Sequence, residues 1–152
     1  MKYDLRKTKV IHWDKEGLTK INAESDTILQ VVITAELYQV NKERLPIIIE
    51  AQFKIIDNGV HISSAIFHTK AILTFEFDEN PVNDLMKMFS EAFIQEKEQW
   101  EQIIIGTPLQ GNIVVPEDVK HEARFNKAYE IMEHARKRNL LALPQAPPQT
   151  MV

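Results

Sequence analysis

The sequence predicts an α+β fold: an antiparallel β-meander of four to five strands, with a long helix packed on one face and a second, C-terminal helix. Two observations predict it. Apolar and polar residues alternate at a period of two through three successive stretches, which marks strands with one buried face. Helical periodicity begins only after the last of these, an order that argues against strands and helices taking turns in a doubly wound sheet.

At the N-terminus, "TKVIHW" and "LTKINA" are expected to add one or two strands. In the first clear strand Leu29, Val31, Ile33, Ala35 and Leu37 share a face, opposed by Gln30, Thr34 and Glu36. "RLPIIIEAQFKII" follows, with Leu45, Ile47, Ile49, Ala51, Phe53 and Ile55 on one side. In the third strand Phe67, Ala71, Leu73, Phe75 and Phe77 oppose His68, Lys70, Thr74, Glu76 and Asp78. The connectors "QVNKER" and "DNGVHISS" are short and the second carries the tight-turn dipeptide Asn58-Gly59, so consecutive strands should pair antiparallel.

Asn80 as N-cap, Pro81 at the first helical position and Asp84 near the positive end of the dipole open the first helix. Val82, Leu85, Met86, Phe89, Phe93, Trp100, Ile103 and Ile104 form its apolar stripe, and Gly106 and Pro108 stop it. Over 81–104 it would be about 36 Å long, twice a typical strand, and is expected to overhang the sheet. "NIVV" can add a strand or ledge. A second helix opens at Pro116-Glu117-Asp118 and runs to about Arg138, with Arg136, Lys137 and Arg138 at its negative end. Its stripe of Phe125, Ala128, Tyr129, Met132 and Ala135 is thin. Residues 1–139 are expected to form a single α+β domain. The Pro-rich tail 140–152, "LLALPQAPPQTMV", is expected either to stay flexible or to dock on a partner through Leu140, Leu141 and Leu143.

Bulk composition narrows the function. With 18 basic and 22 acidic side chains the net charge is −4, so the electrostatic footprint of a nucleic-acid-binding domain is missing. Cysteine is absent, which excludes disulfides, thiol catalysis and thiolate metal sites. The N-terminal stretch lacks the apolar core of a secretory signal, and no run approaches the ~20 apolar residues that span a bilayer. A cytoplasmic protein is expected.

No familiar catalytic pattern is present. The 4 glycines, at 17, 59, 106 and 111, make no phosphate-cradling loop, and no Gly-x-Ser-x-Gly elbow exists. His121-Glu122 lacks a second histidine four residues on. The other histidines, 12, 61, 68 and 134, are scattered, with His61 and His68 on opposite faces of an unbroken strand. Glu36, Glu50, Glu76 and Asp78 occupy polar strand positions as solvated-face alternation requires. The expectation is a non-enzymatic protein with no cofactor and no metal.

The polar strand faces are interrupted by Val32, Tyr38, Val40, Ile48, Ile56, Ile66 and Ile72. Something must cover them: the N-terminal segment with Val10, Ile11, Trp13 and Leu18, the second helix, a second subunit or a client polypeptide. Under the last two readings the partner-binding residues are Ile48, Ile56, Ile66 and Ile72, with Met86, Met88 and Trp100 as adaptable contacts and Leu140, Leu141 and Leu143 from the tail.

The order of "LPIIIEAQFKII" and "AILTFEFDEN", one long helix, the extended "TPLQGNIVVPEDV" and a final helix resembles the SecB family of export chaperones across residues 28–138. That resemblance implies antiparallel sheets paired across subunits in a tetramer and apolar grooves that hold unfolded preproteins. The chain departs from the family in its long helix, which reads "MFSEAFIQEKEQW" where the family has a Pro-Tyr-Ala-Arg-like run, and in its extra strand around Ala65 to Phe77. The function expected is a non-catalytic, homo-oligomeric, chaperone-like polypeptide-binding protein, a dimer or tetramer. The alternative is a structural component of a larger assembly, such as a phage virion tail or connector subunit, with the tail as an ordered arm.

Overall fold

A long β-hairpin dominates the computed structural model, which describes residues 1–16, 26–35, 43–57, 59–105 and 117–144. In chain order the elements are β1 (Lys2–Leu5), β2 (Lys9–Trp13), β3 (Asp26–Ala35), β4 (Arg44–Asp57), β5 (Val60–Thr74), α1 (Val82–Ile103) and α2 (Glu117–Lys137). The fold is α+β, among the described residues an antiparallel sheet of five strands with two helices, as the periodicities predict. "LTKINA", "NIVV", Glu36, Leu37, Tyr38, Val40 and the helix-stopping Gly106 and Pro108 lie outside the described residues.

β3, β4 and β5 pair in sequence as a meander. The N-terminal strands join the far side: β1 and β2 lie end to end along β5, at Ala71–Thr74 and Ala65–His68. Arg6 N–H donates to Lys70 O at 2.8 Å across the interruption between them. β5 begins at Val60, so "VHISS" belongs to the strand and is no connector. Pairing with β4 outweighs its polar composition, because Asp57 stands opposite Val60 and Gly59 takes the positive φ of 78° that a tight hairpin turn demands. The strands therefore reach 14 and 15 residues, about 48 Å, against about 33 Å for the 22-residue α1. It is the hairpin that overhangs the helix.

Both helices pack on the odd-numbered face of the hairpin. One core cluster joins Leu45, Ile47, Ile49 and Leu73 to Leu85, Met88 and Phe89 of α1 and to Ala128, Ile131 and Met132 of α2. The other joins Phe53, Ile55 and Phe67 to Trp100 and Ile104. There the Trp100 ring stacks on Phe53 at 5.1 Å and 14°, and Phe67 meets Phe53 edge-on at 5.6 Å. β3 pairs so that Leu29, Val31, Ile33 and Ala35 stand opposite Phe53, Ala51, Ile49 and Ile47.

Between the clusters runs a polar belt. Thr69 follows Phe67 on β5, Glu96 sits on α1 between Ala92 and Trp100, and Thr8 occupies the interruption between β1 and β2; all three are buried. The Thr8 and Thr69 hydroxyls are 2.7 Å apart, Thr8 also donates to Gln95 Oε1 at 3.2 Å, and Thr69 hydrogen-bonds the Glu96 carboxyl. Burial pushes the Glu96 carboxyl up to about 9 against the pull of the Arg124 charge, so it is held protonated at neutral pH.

The termini of the helices differ in detail from expectation. Pro81 is the cap residue of α1, and the Asn80 side chain accepts from Val82 N–H at 3.3 Å. On α2 the inward side carries Arg124, Ala128, Ile131, Met132 and Ala135. Phe125 and Tyr129, expected in the stripe, are 41% and 49% exposed and pack on each other at 4.9 Å. The helix ends on Asn139 at φ 59°, with Leu140 N–H donating to Ala135 O and Asn139 N–H to Arg136 O, a left-handed C-terminal cap.

Candidate functional site

The even-numbered residues of β4 and β5 form the other, outer face of the sheet. Among the described residues no helix packs on it, since α1 and α2 both lie on the core side. The N-terminal strands extend the sheet at its edge and do not cover it; Trp13 turns to the core cluster of Phe53 and Trp100.

Register lays out the face row by row. Pro46 pairs Ile72, which also faces Asp4 of β1; Ile48 pairs Lys70; Glu50 pairs His68, which faces Lys9 of β2; Gln52 pairs Ile66, which faces His12. Ile48 and Ile72 are thus diagonal neighbours, close enough for side-chain contact, and with Pro46 they make one half-buried aliphatic patch. His68 Nε2 lies 2.8 Å from Glu50 Oε1, and Gln52 donates to the other carboxylate oxygen at 2.9 Å. Partial burial pushes the Glu50 carboxyl up, but the hydrogen bonds from His68 and Gln52 outweigh it and hold it below its ordinary range. Ile66 stands beyond this pair, and Ile56 further still, opposite His61. The register shift between Ile55 and Ile56 brings His61 opposite Ile56 and so onto the outer face with His68, contrary to the parity expected of an unbroken pairing.

Two shallow depressions adjoin the Ile48–Ile72 patch. One, of about 370 Å³, is lined by Ile11, Ile48 and His68 together with Arg6, Lys7, Lys9 and Lys70. The second, of about 290 Å³, lies against Ile72 with Lys2 and Arg44 at its margin.

The sequence-derived partner residues therefore do not form one surface. Ile48 and Ile72 come together; Ile56 and Ile66 share their face but stand apart from them. Met88 and Trp100 are 0% exposed on the core side of the sheet and Met86 packs against the same core, so these three are separated from the isoleucines by the sheet itself. Their helical spacing is that of a core stripe, which a binding stripe would share. Leu141 is buried in the first core cluster with Leu140 against it, Ala142 N–H donates to Phe77 O, and Leu143 is 76% exposed. Residues 145–152 of the tail lie outside the described residues.

Lys2, Arg6, Lys7 and Lys9 read from the sequence as a local basic cluster on a solvated N-terminal segment; their meeting with Arg44 and Lys70, which lie far off in sequence, is not legible there, because it depends on pairing with β5. Among the described residues no group of three His, Asp or Glu side chains is placed to hold a metal, and no helix is long and apolar enough to cross a membrane.

No family model matches the chain, and no curated protein matches it. Among solved structures it is similar to a SecB-like chaperone of Mycobacterium tuberculosis, solved in complex with a ChAD peptide from the HigA1 antitoxin. The sequences are 9% identical, the match covers 99% of this chain and 92% of that one, and the TM-score is 0.33, a likeness that carries no weight for function.

Proposed function

We propose that this chain is a non-catalytic, chaperone-like protein that holds extended segments of other polypeptides on the outer face of its sheet. The observation that supports the reading is the aliphatic patch of Ile48, Ile72 and Pro46, left uncovered by every described helix and strand. Single exposed apolar residues are ordinary, but adjoining ones on an uncovered face mark an interaction surface. A pleated surface also suits an extended chain, whose alternate side chains meet the sheet at matching intervals. The working form is taken to be a dimer or tetramer, since the unpaired edge of β1 and β2 among the described residues is where a second copy adds strands.

The test is light scattering of the purified protein with and without a reduced, unfolded model polypeptide, on the wild type and on the Ile48→Ser/Ile72→Ser variant. The wild type is expected to take up the polypeptide, and the variant to keep its circular dichroism while losing affinity about tenfold, the equivalent of about 1.4 kcal/mol. Undiminished uptake by the folded variant would overturn the assignment of this face.

A further inference from the structure

We infer that the outer face selects segments in which acidic residues flank an aliphatic one, an inference that rests on the polypeptide-binding reading above. The chain as a whole is acidic, at −4, yet Lys2, Arg6, Lys7, Lys9, Arg44 and Lys70 converge on the margin of one patch. Among the described residues, Asp4 lines this region and Glu50 adjoins it, and both are engaged. Asp4 takes Arg6 at 3.1 Å, and Glu50 takes His68 and Gln52. Among the described residues Lys2, Lys7, Lys9 and Arg44 make no ion pair, so this end of the face is a positive pole on a negative molecule. Such a pole steers and orients an anionic partner.

The order of residues along β5 defines the pattern recognised. Thr74 stands between Lys2 and Arg44, Ile72 between Asp4 and Pro46, and Lys70 opposite Ile48, with Arg6 hydrogen-bonded to its carbonyl. From Thr74 to Lys70 the strand rises about 13 Å, the distance between residues i and i+4 of an extended segment. A segment laid along β5 thus places a carboxylate over Lys2 and Arg44, an aliphatic residue at i+2 over Ile72, and a second carboxylate at i+4 beside Lys7 and Lys9, which line the depression next to Ile48. The aliphatic floor is what separates this site from a phosphate-binding one. Single-stranded nucleic acid needs aromatic platforms for its bases. Tyr3, the aromatic residue at the margin, instead donates its hydroxyl to Glu91 on α1 at 2.7 Å.

The test uses the full chain and three fluorescent peptides of equal length: repeats of Glu-Ser-Val-Ser-Glu, the same with Lys for Glu, and the same with Ser for Val. A labelled oligothymidylate serves as the fourth probe. Anisotropy should show the acidic aliphatic peptide binding at least about tenfold tighter than the other three, with the advantage over the Lys peptide closing at high salt. The Lys2→Gln/Lys9→Gln/Arg44→Gln variant, with unchanged circular dichroism, should lose the same advantage while retaining weak binding of both valine peptides. Equal binding of the Glu and Lys peptides would overturn the charge selection and leave the polypeptide-binding face standing; no binding of either valine peptide would overturn both. Oligothymidylate binding as tight as that of the acidic peptide would reassign the pole to phosphate. A triple variant that aggregates yet still prefers the acidic peptide would overturn the role given to these cations, making them guards of the β1–β2 edge.

Discussion

Glu50 Oε1 and His68 Nε2 stand 2.8 Å apart across the β4–β5 ladder, and this pair divides the isoleucines of the outer face. On one side lie Ile48 and Ile72 beside the cationic margin; on the other lie Ile66 and Ile56. A polypeptide seated on the first group has no reason to touch the second. Ile48→Ser or Ile72→Ser is therefore expected to weaken capture of an unfolded polypeptide several-fold, and Ile56→Ser to leave it unchanged, as read by anisotropy titration.

The buried Glu96 makes stability depend on pH in an unusual direction. The unfolded chain ionises this carboxyl near its ordinary 4.5, whereas the folded protein holds the proton to about 9. Folding thus binds a proton between these values. The stabilising contribution is full below 4.5, falls as the pH rises, and is lost above 9. At pH 7 the loss amounts to about 3 kcal/mol. Glu96→Gln, neutral at every pH, should raise the melting temperature at pH 8 more than at pH 5, a difference that thermal scans at the two values will show.

Trp100 and Met88 are core residues, and their removal should act on stability alone. Trp100→Ala is expected to cost about 3–5 kcal/mol and Met88→Ala about 2–5 kcal/mol in urea unfolding. Ile48→Ser, on the half-buried face, should cost much less, so the ratio of the three values separates core from surface.

Asn139 takes φ 59° at the end of α2, a conformation asparagine tolerates and glycine adopts without strain. Asn139→Gly should leave the melting temperature unchanged or raise it, while Asn139→Val should lower stability by about 1–2 kcal/mol.

Much of this was legible in the alternation of "RLPIIIEAQFKII" and in the stripe from Leu85 to Ile104, because burial on one face imposes a period that the sequence must carry. Glu96 was not, although it falls four residues from both Ala92 and Trp100. A charged residue in that gap looks like a break in the stripe until Thr69, itself paired with Thr8, arrives from the sheet to meet it. The length of β5 was hidden because Ser63 and Ser64 look like a loop. Ser63 is in fact buried, with its hydroxyl donated to Asp14 O at 2.8 Å, a bond made possible only by β2. The site divided in the same way. Its isoleucines showed in strand parity, whereas its cations, which come from three separate stretches of chain, are brought together by the pairing of β1 with β5 and of β5 with β4.

The absence of cysteine from the chain permits one decisive labelling experiment. Thr74→Cys places an environment-sensitive dye between Lys2 and Arg44 on the outer face, and Glu101→Cys places it on the exposed side of α1. On adding a reduced, unfolded polypeptide, the dye at 74 should shift to the blue and brighten while the dye at 101 stays unchanged. A response at 101 alone, or silence at both positions while the polypeptide demonstrably binds, would contradict the claim that the outer face of the sheet is where this protein holds its partner.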